Sequence, residues 1–204
     1  MSDGESILRK HRLEMLATGS TDRQIRRWVD DGRMTRVWRG SYHQGTKLEP
    51  WVELALSARS AAERSAAGLV LSHAAAAALH GMEVLTFDWR TVEFTRDGRR
   101  GGGKDGRRSV HIRRLDAADI AAVDGIAVTT VARTALDLAL AGTFEQAVCA
   151  LDAALRMGIT LDELHAAVDR LGRRRGIATL RAAMPEADGR SESVGESRSR
   201  ALML

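Results

Sequence analysis

The sequence predicts an α+β fold. Segments with apolar residues three and four apart alternate with short segments of period two. Capping residues and glycine stops punctuate them. Apolar residues make up 44% of the 204 residues and aromatics only 4%, so a core must rest on Ala, Leu, Val and Ile. A charged share of 28% is ordinary for a globular chain and excludes wholesale disorder.

Residues 7–17 carry Leu8, Leu13 and Leu16 among basic residues and predict one or two short amphipathic helices. Residues 18–20 break the pattern. Thr21 stands three before Gln24, a capping-box spacing that opens a helix over residues 22–31. Ile25, Trp28 and Val29 form its apolar stripe. Arg23, Arg27 and Asp30 project opposite, with Arg26 at the shoulder. Gly32 ends the helix. Residues 33–37 alternate toward a strand, Arg39 and Gly40 turn, and residues 41–43 return.

Helix, turn, helix, hairpin is the layout of a winged helix-turn-helix. Such a helix lies in the DNA major groove with its polar face on base edges. Arg23, Gln24 and Arg27 are placed there, since Arg pairs bidentately with guanine and Gln with adenine. Arg36 and Arg39 would neutralise phosphates beside it. A merely solvated basic face is the competing reading, and the arginine-bearing hairpin weighs against it.

Residues 50–67 predict a helix with Trp51, Leu54, Ala55, Ala58, Ala61 and Ala62 at helical spacing. Val70 and Leu71 are short and apolar. Ser72 caps a helix through His80, and Gly81 stops it. Residues 89–95, 109–114 and 126–128 read as strands. Thr130 and Thr143 open helices, the second reaching Met157. Thr160 and Glu163 form another capping box before residues 161–171, and residues 174–184 follow. The mixed α/β region thus ends in a helical run. Arg133 and Asp137 are spaced to pair across one turn, a scaffold role. Residues 185–193 read as a linker.

The glycine-rich basic segment 96–108 has two readings: a mobile arm along the phosphate backbone, weakened steeply by salt, or a hairpin tip kept soluble by charge. The candidate DNA contacts are Thr21, Arg23, Gln24, Arg26, Arg27, Arg33, Arg36 and Arg39, with Arg99, Arg100, Lys104, Arg107 and Arg108 on this segment.

The net charge of +4 is unevenly spread. Residues 1–48 carry +4, 49–95 carry −3, 96–114 carry +6, 115–169 carry −7 and 170–204 carry +4. Three blocks could meet a polyanion. Of the 31 basic residues 28 are Arg, a usage that a high-GC genome also produces. No apolar run approaches the roughly eighteen residues of a membrane span. The first residues lack the layout of a secretory signal. The single cysteine, Cys149, excludes an internal disulfide and fits a reducing cytoplasm. Histidines 11, 43, 73, 80, 111 and 165 show no metal-ligand spacing, and His73 and His80 read as structural. No phosphate-cradling or nucleophile motif occurs. The expectation is a non-enzyme without cofactor or metal.

The run over residues 19–42, with Gly32, Met34, Arg36, Val37, Arg39, Gly40 and Tyr42 in the pattern G-x-hydrophobic-x-R-hydrophobic-x-R-G-x-Y, resembles the N-terminal domain of AbiEi-type antitoxins. Residues 72–81 resemble the same family's S-x-x-S-A-A-x-L-H-G element. The run from Thr129 and Thr130 through Arg133, Thr134, Leu136 and Asp137 resembles its T-x-x-x-R-T-hydrophobic-x-D helix start. The resemblance spans roughly residues 18–141. It implies a bacterial transcriptional regulator that represses its own type IV toxin–antitoxin operon. It also implies a nucleotidyltransferase-like toxin as functional partner, counteracted without a tight complex. Glu192, Ser193, Glu196, Ser197 and Arg200 resemble the opening of a very-short-patch-repair-like endonuclease domain. The metal-holding carboxylates of such a domain are missing, which suggests a shortened chain and, as the alternative function, the targeting half of a longer endonuclease-like protein. The expected division is 1–48, a winged helix-turn-helix; 49–184, an α/β domain; and 185–204, a linker with the start of a further domain.

Overall fold

A computed structural model describes residues 9–45, 48–85, 88–172 and 174–203. The fold is α+β, as the sequence predicts. The N-terminal unit holds β1 (Arg9–His11), α1 (Arg12–Ala17), α2 (Asp22–Asp30), β2 (Met34–Trp38) and β3 (Ser41–Gln44). Its antiparallel sheet runs β1-β3-β2. A satellite core of Met15, Ile25 and Met34, flanked by Leu16, Trp28, Val29 and Tyr42, joins the two helices to the sheet. Gly32 ends α2 at φ +70°, a conformation that favours glycine.

The expected helix from residue 7 is replaced at Arg9–His11 by β1, while Ile7 and Leu8 lie outside the described residues. Strand pairing with β3, Arg9 against His43 and His11 against Ser41, overrides the helical spacing.

The second unit is built on a six-stranded sheet in the order β6-β7-β5-β4-β9-β8. Its strands are β4 (Val70–Leu71), β5 (Val92–Arg96), β6 (Gly103–Asp105), β7 (Arg108–Ile112), β8 (Ile120–Val123) and β9 (Ile126–Thr129). β4 pairs parallel with β9, and β5 parallel with β7; the other pairs are antiparallel. The helices are α3 (Pro50–Ala62), α4 (His73–His80), α5 (Val131–Ala141), α6 (Phe144–Arg156), α7 (Leu161–Leu171), α8 (Ile177–Ala183) and α9 (Val194–Ala201). α3 and α4 pack on β5, α5 on α4, and α6 on α5. One continuous core includes Leu54, Leu71, Phe94, Val128, Leu136, Leu151 and Leu164. Ala74 to Ala77 are all buried, since a helix apolar all round belongs inside.

Several expectations are corrected. α3 stops at Ala62, and Trp51 is 55% exposed instead of facing the core. Ser57 and Ser60 turn inward, because their hydroxyls donate to the carbonyls of Val37 and Leu56. Ser72 stands at the N-cap of α4 without side-chain capping; its hydroxyl accepts from Thr95 at 2.8 Å. Of the two readings of segment 96–108, the hairpin matches residues 103–108: Gly103–Asp105 is a strand paired antiparallel to β7. β8 goes unread in the sequence. Residues 185–193 are a packed strap, in which the Asp188 amide donates to Asp152 at 2.7 Å and Gly189 lies against Leu155. α9 docks on α6, with Arg200 donating to Asp152 at 2.6 Å.

The most buried cation among the described residues is Arg133, 1% exposed. It donates to Asp119 at 2.7 Å, to Asp137 at 3.0 Å and to the Arg114 carbonyl at 3.2 Å. Asp119 also accepts from Arg170 of α7 at 3.1 Å. Removing one member of such a group leaves an uncompensated buried charge. Arg133→Ala is expected to cost about 3–5 kcal/mol in urea unfolding, against under about 1 kcal/mol for exposed Arg23→Ala. Gly176 has φ +84°, and a Cβ there would meet the Leu140 carbonyl oxygen at 2.0 Å. Gly176→Ala is expected to cost about 3 kcal/mol in the same measurement.

Candidate nucleic-acid interface

α2 opens with a complete capping box: the Thr21 hydroxyl accepts from the Gln24 amide, and Gln24 Oε1 accepts from the Thr21 amide at 2.7 Å. Asp22 accepts from Arg12 of α1 at 2.7 Å. That hydrogen bond holds its carboxyl below the usual range, and the charge of Arg26 adds to the effect. Ile25 is buried and Trp28 and Val29 half-buried, which fixes the orientation of the helix. Arg23, Arg26 and Arg27 are then exposed. Arg23 and Arg26 have no hydrogen bond or close ion pair among the described residues. Arg27 lies 3.6 Å from Asp31, which also pairs with Arg33 at 3.0 Å.

The capping box changes the role of two expected contacts. Reading adenine bidentately takes both the oxygen and the nitrogen of a Gln side chain. The Gln24 oxygen is engaged at the helix start, and so is the Thr21 hydroxyl. Both residues set the helix start, and the arginines carry the exposed donors.

The hairpin brings Arg36 and Arg39 to the surface, exposed and without partners among the described residues. Arg36, Arg39, Arg64, Arg107 and Arg108, with Trp38 and Asp105, line a recess of about 860 Å³ between the two units. Four of these arginines were expected to contact DNA. Arg64, which follows α3, is exposed and was missed; its signal would have been its docking beside Gly40, a tertiary fact. Arg99 and Arg100 are exposed, and Lys104 lies 3.6 Å from Asp88.

Arg107 is committed inward. It donates to the carbonyls of Val37 and Arg90, each at 2.9 Å, and to the Ser57 hydroxyl at 3.3 Å. Its guanidinium carbon stands 5.5 Å from the centre of the Trp38 ring. This residue ties β2 to α3 and β7. Arg108 stacks its guanidinium 5.3 Å from the Phe94 ring. Arg107→Ala is expected to lower stability by about 1–2 kcal/mol in urea unfolding, with Arg107→Lys recovering only part, because an ammonium cannot reproduce the planar fork.

No described helix is long and apolar enough to cross a membrane. No protein-family model matches the chain, and no curated protein does. The chain is similar in fold to the crystal structure of the RV2827C protein from Mycobacterium tuberculosis, at TM-score 0.50 and 16% identity, over 96% of this chain and 76% of that one.

Proposed function

We propose that this chain is a DNA-binding transcriptional regulator whose α2 enters the major groove while the β2–β3 hairpin holds the flanking phosphates. The observation that carries the reading is the unpaired guanidinium surface: Arg23 and Arg26 on α2, and Arg36 and Arg39 on the hairpin, have no hydrogen-bonding or ion-pair partner among the described residues. Such groups are the donors that guanine edges and phosphate oxygens accept. Arg64 and Arg108 beside the hairpin extend the basic surface. The resemblance to AbiEi-type antitoxins supports the finer part of the reading. The chain represses its own operon in the cytoplasm and counteracts a nucleotidyltransferase-like toxin without a lasting complex.

The test is a mobility shift on the DNA upstream of the chain's own gene. Arg23→Ala with Arg27→Ala is expected to weaken binding at least about tenfold and to erase preference over unrelated duplex, since each lost bidentate contact is worth about 1–3 kcal/mol. Arg36→Ala with Arg39→Ala is expected to weaken all duplexes alike and to reduce the salt slope by about two. Equal shifts for wild type and the α2 double variant would reject the groove assignment. Co-expression with the neighbouring gene tests the antitoxin part: rescued growth without co-purification is the expected result.

A further inference from the structure

The spacing of the histidines in sequence conceals a cluster that the fold assembles. His73 is the first residue of α4, Glu93 lies on β5 and His111 on β7. β5 and β7 are parallel neighbours, with Glu93 opposite Ser109 and Thr95 opposite His111. This register puts Glu93 and His111 on one face, where His111 Nε2 lies 3.0 Å from Glu93 Oε1. The rings of His73 and His111 have centroids 4.2 Å apart. One ligand-type atom from each of the three residues lies within 4.8 Å of the other two.

Two further features point to a ligand. His73 holds φ +51°, a left-handed conformation uncommon outside glycine, and strain of this kind concentrates at functional positions. His73 and His111 also border a cavity of about 350 Å³ shared with Asp137, Arg113, Arg174 and Arg175. Asp137 is 3% exposed, and its Oδ2 is buried without a hydrogen-bond partner.

We propose that His73, Glu93 and His111 form a binding site for a divalent transition-metal ion of the zinc class, open on its fourth side to the cavity. Two imidazoles and one carboxylate suit borderline ions such as Zn(II), and ions that prefer all-oxygen shells are poorly served. Donors bonded at about 2.0–2.2 Å around one ion stand about 3–4 Å apart, so the cluster needs shifts of about 1 Å to close on it. Burial keeps His73 toward its neutral form, the form that ligates. Burial pushes the Glu93 carboxyl up, but the hydrogen bonds from His111 and the Ala74 amide, together with the neighbouring imidazoles, outweigh it and hold the carboxyl below its usual range. Asp137 adds a second negative charge beside the ion, and the three arginines at the cavity favour an anion in the open position.

The full chain, stripped with chelator, is titrated with ZnCl2 by calorimetry and followed by thermal unfolding. One equivalent bound and a raised Tm are expected. Glu93→Gln and His111→Ala should each weaken binding by about 100-fold or more, while exposed His165→Ala leaves it unchanged. Cobalt substitution should give visible d–d bands that both variants lose, and circular dichroism checks that each variant is folded. Glu93→Gln is expected to keep full duplex affinity, which separates this site from the DNA-binding reading. Absence of zinc binding overturns the proposal, as does zinc binding unchanged in both variants. Stabilisation by inorganic phosphate without zinc also overturns it and assigns the cavity to anions.

Discussion

A guanidinium withdrawn from water costs several kcal/mol unless counter-charges surround it, and Arg133 at the start of α5 sets what the neighbouring segments must do. Asp137 comes from its own helix, one turn on. Asp119 must come from the connection between β7 and β8, which is why that connection closes as a short 3-10 turn over Ala117–Asp119. The Asp119 carbonyl then accepts from the Thr130 amide at 2.9 Å, and its side chain reaches Arg170 of α7. One buried cation thereby fixes the turn before β8, the start of α5 and the end of α7. α4 and α6 both pack on α5, so the sheet and the helical layer inherit this placement.

What was legible in the sequence is what local chemistry decides. The capping boxes at Thr21 and Thr160 lie where the spacing puts them, because side chain and backbone meet within one helical turn. The apolar stripe of α2 fixes which arginines face outward, and helical geometry alone supplies that. β1 depends on an open edge of β3, and β8 on an edge of β9; no residue within either segment announces its partner. The strap over residues 185–193 has the polar composition of a linker, yet Asp152, buried in α6, recruits both the Asp188 amide and Arg200. The cluster of His73, Glu93 and His111 draws on three elements up to 38 positions apart by residue number, so spacing rules tuned to one helix or loop pass over it.

The candidate interface was half legible for the same reason. Arg23 is placed outward by helical periodicity and is exposed; Arg36, expected on the hairpin, is exposed too. Arg107 belongs to the same basic segment as Arg99 and Arg100, but docking of the two units converts it from surface cation to bridge, with two backbone carbonyls and an aromatic face as partners. Gln24 shows the converse limit: a side chain expected to read a groove is occupied by the helix end it also caps.

An arginine-rich composition is silent about which arginines act, and desolvation sorts them. Arg133 and Arg200 reach buried carboxylates and hold the helical layer together. Arg107 and Arg108 lie half-buried against aromatic rings, where a planar, weakly hydrated cation stacks well and an ammonium does not. Arg23, Arg26, Arg36 and Arg39 stay exposed, with no hydrogen bond or close ion pair among the described residues. These four are confined to α2 and the hairpin, the two elements joined through Ile25 and Met34 of the satellite core. That common core keeps helix and hairpin in fixed relation, so under the proposed DNA-binding reading their guanidiniums would face a duplex as one preorganised surface, with little ordering left to oppose binding.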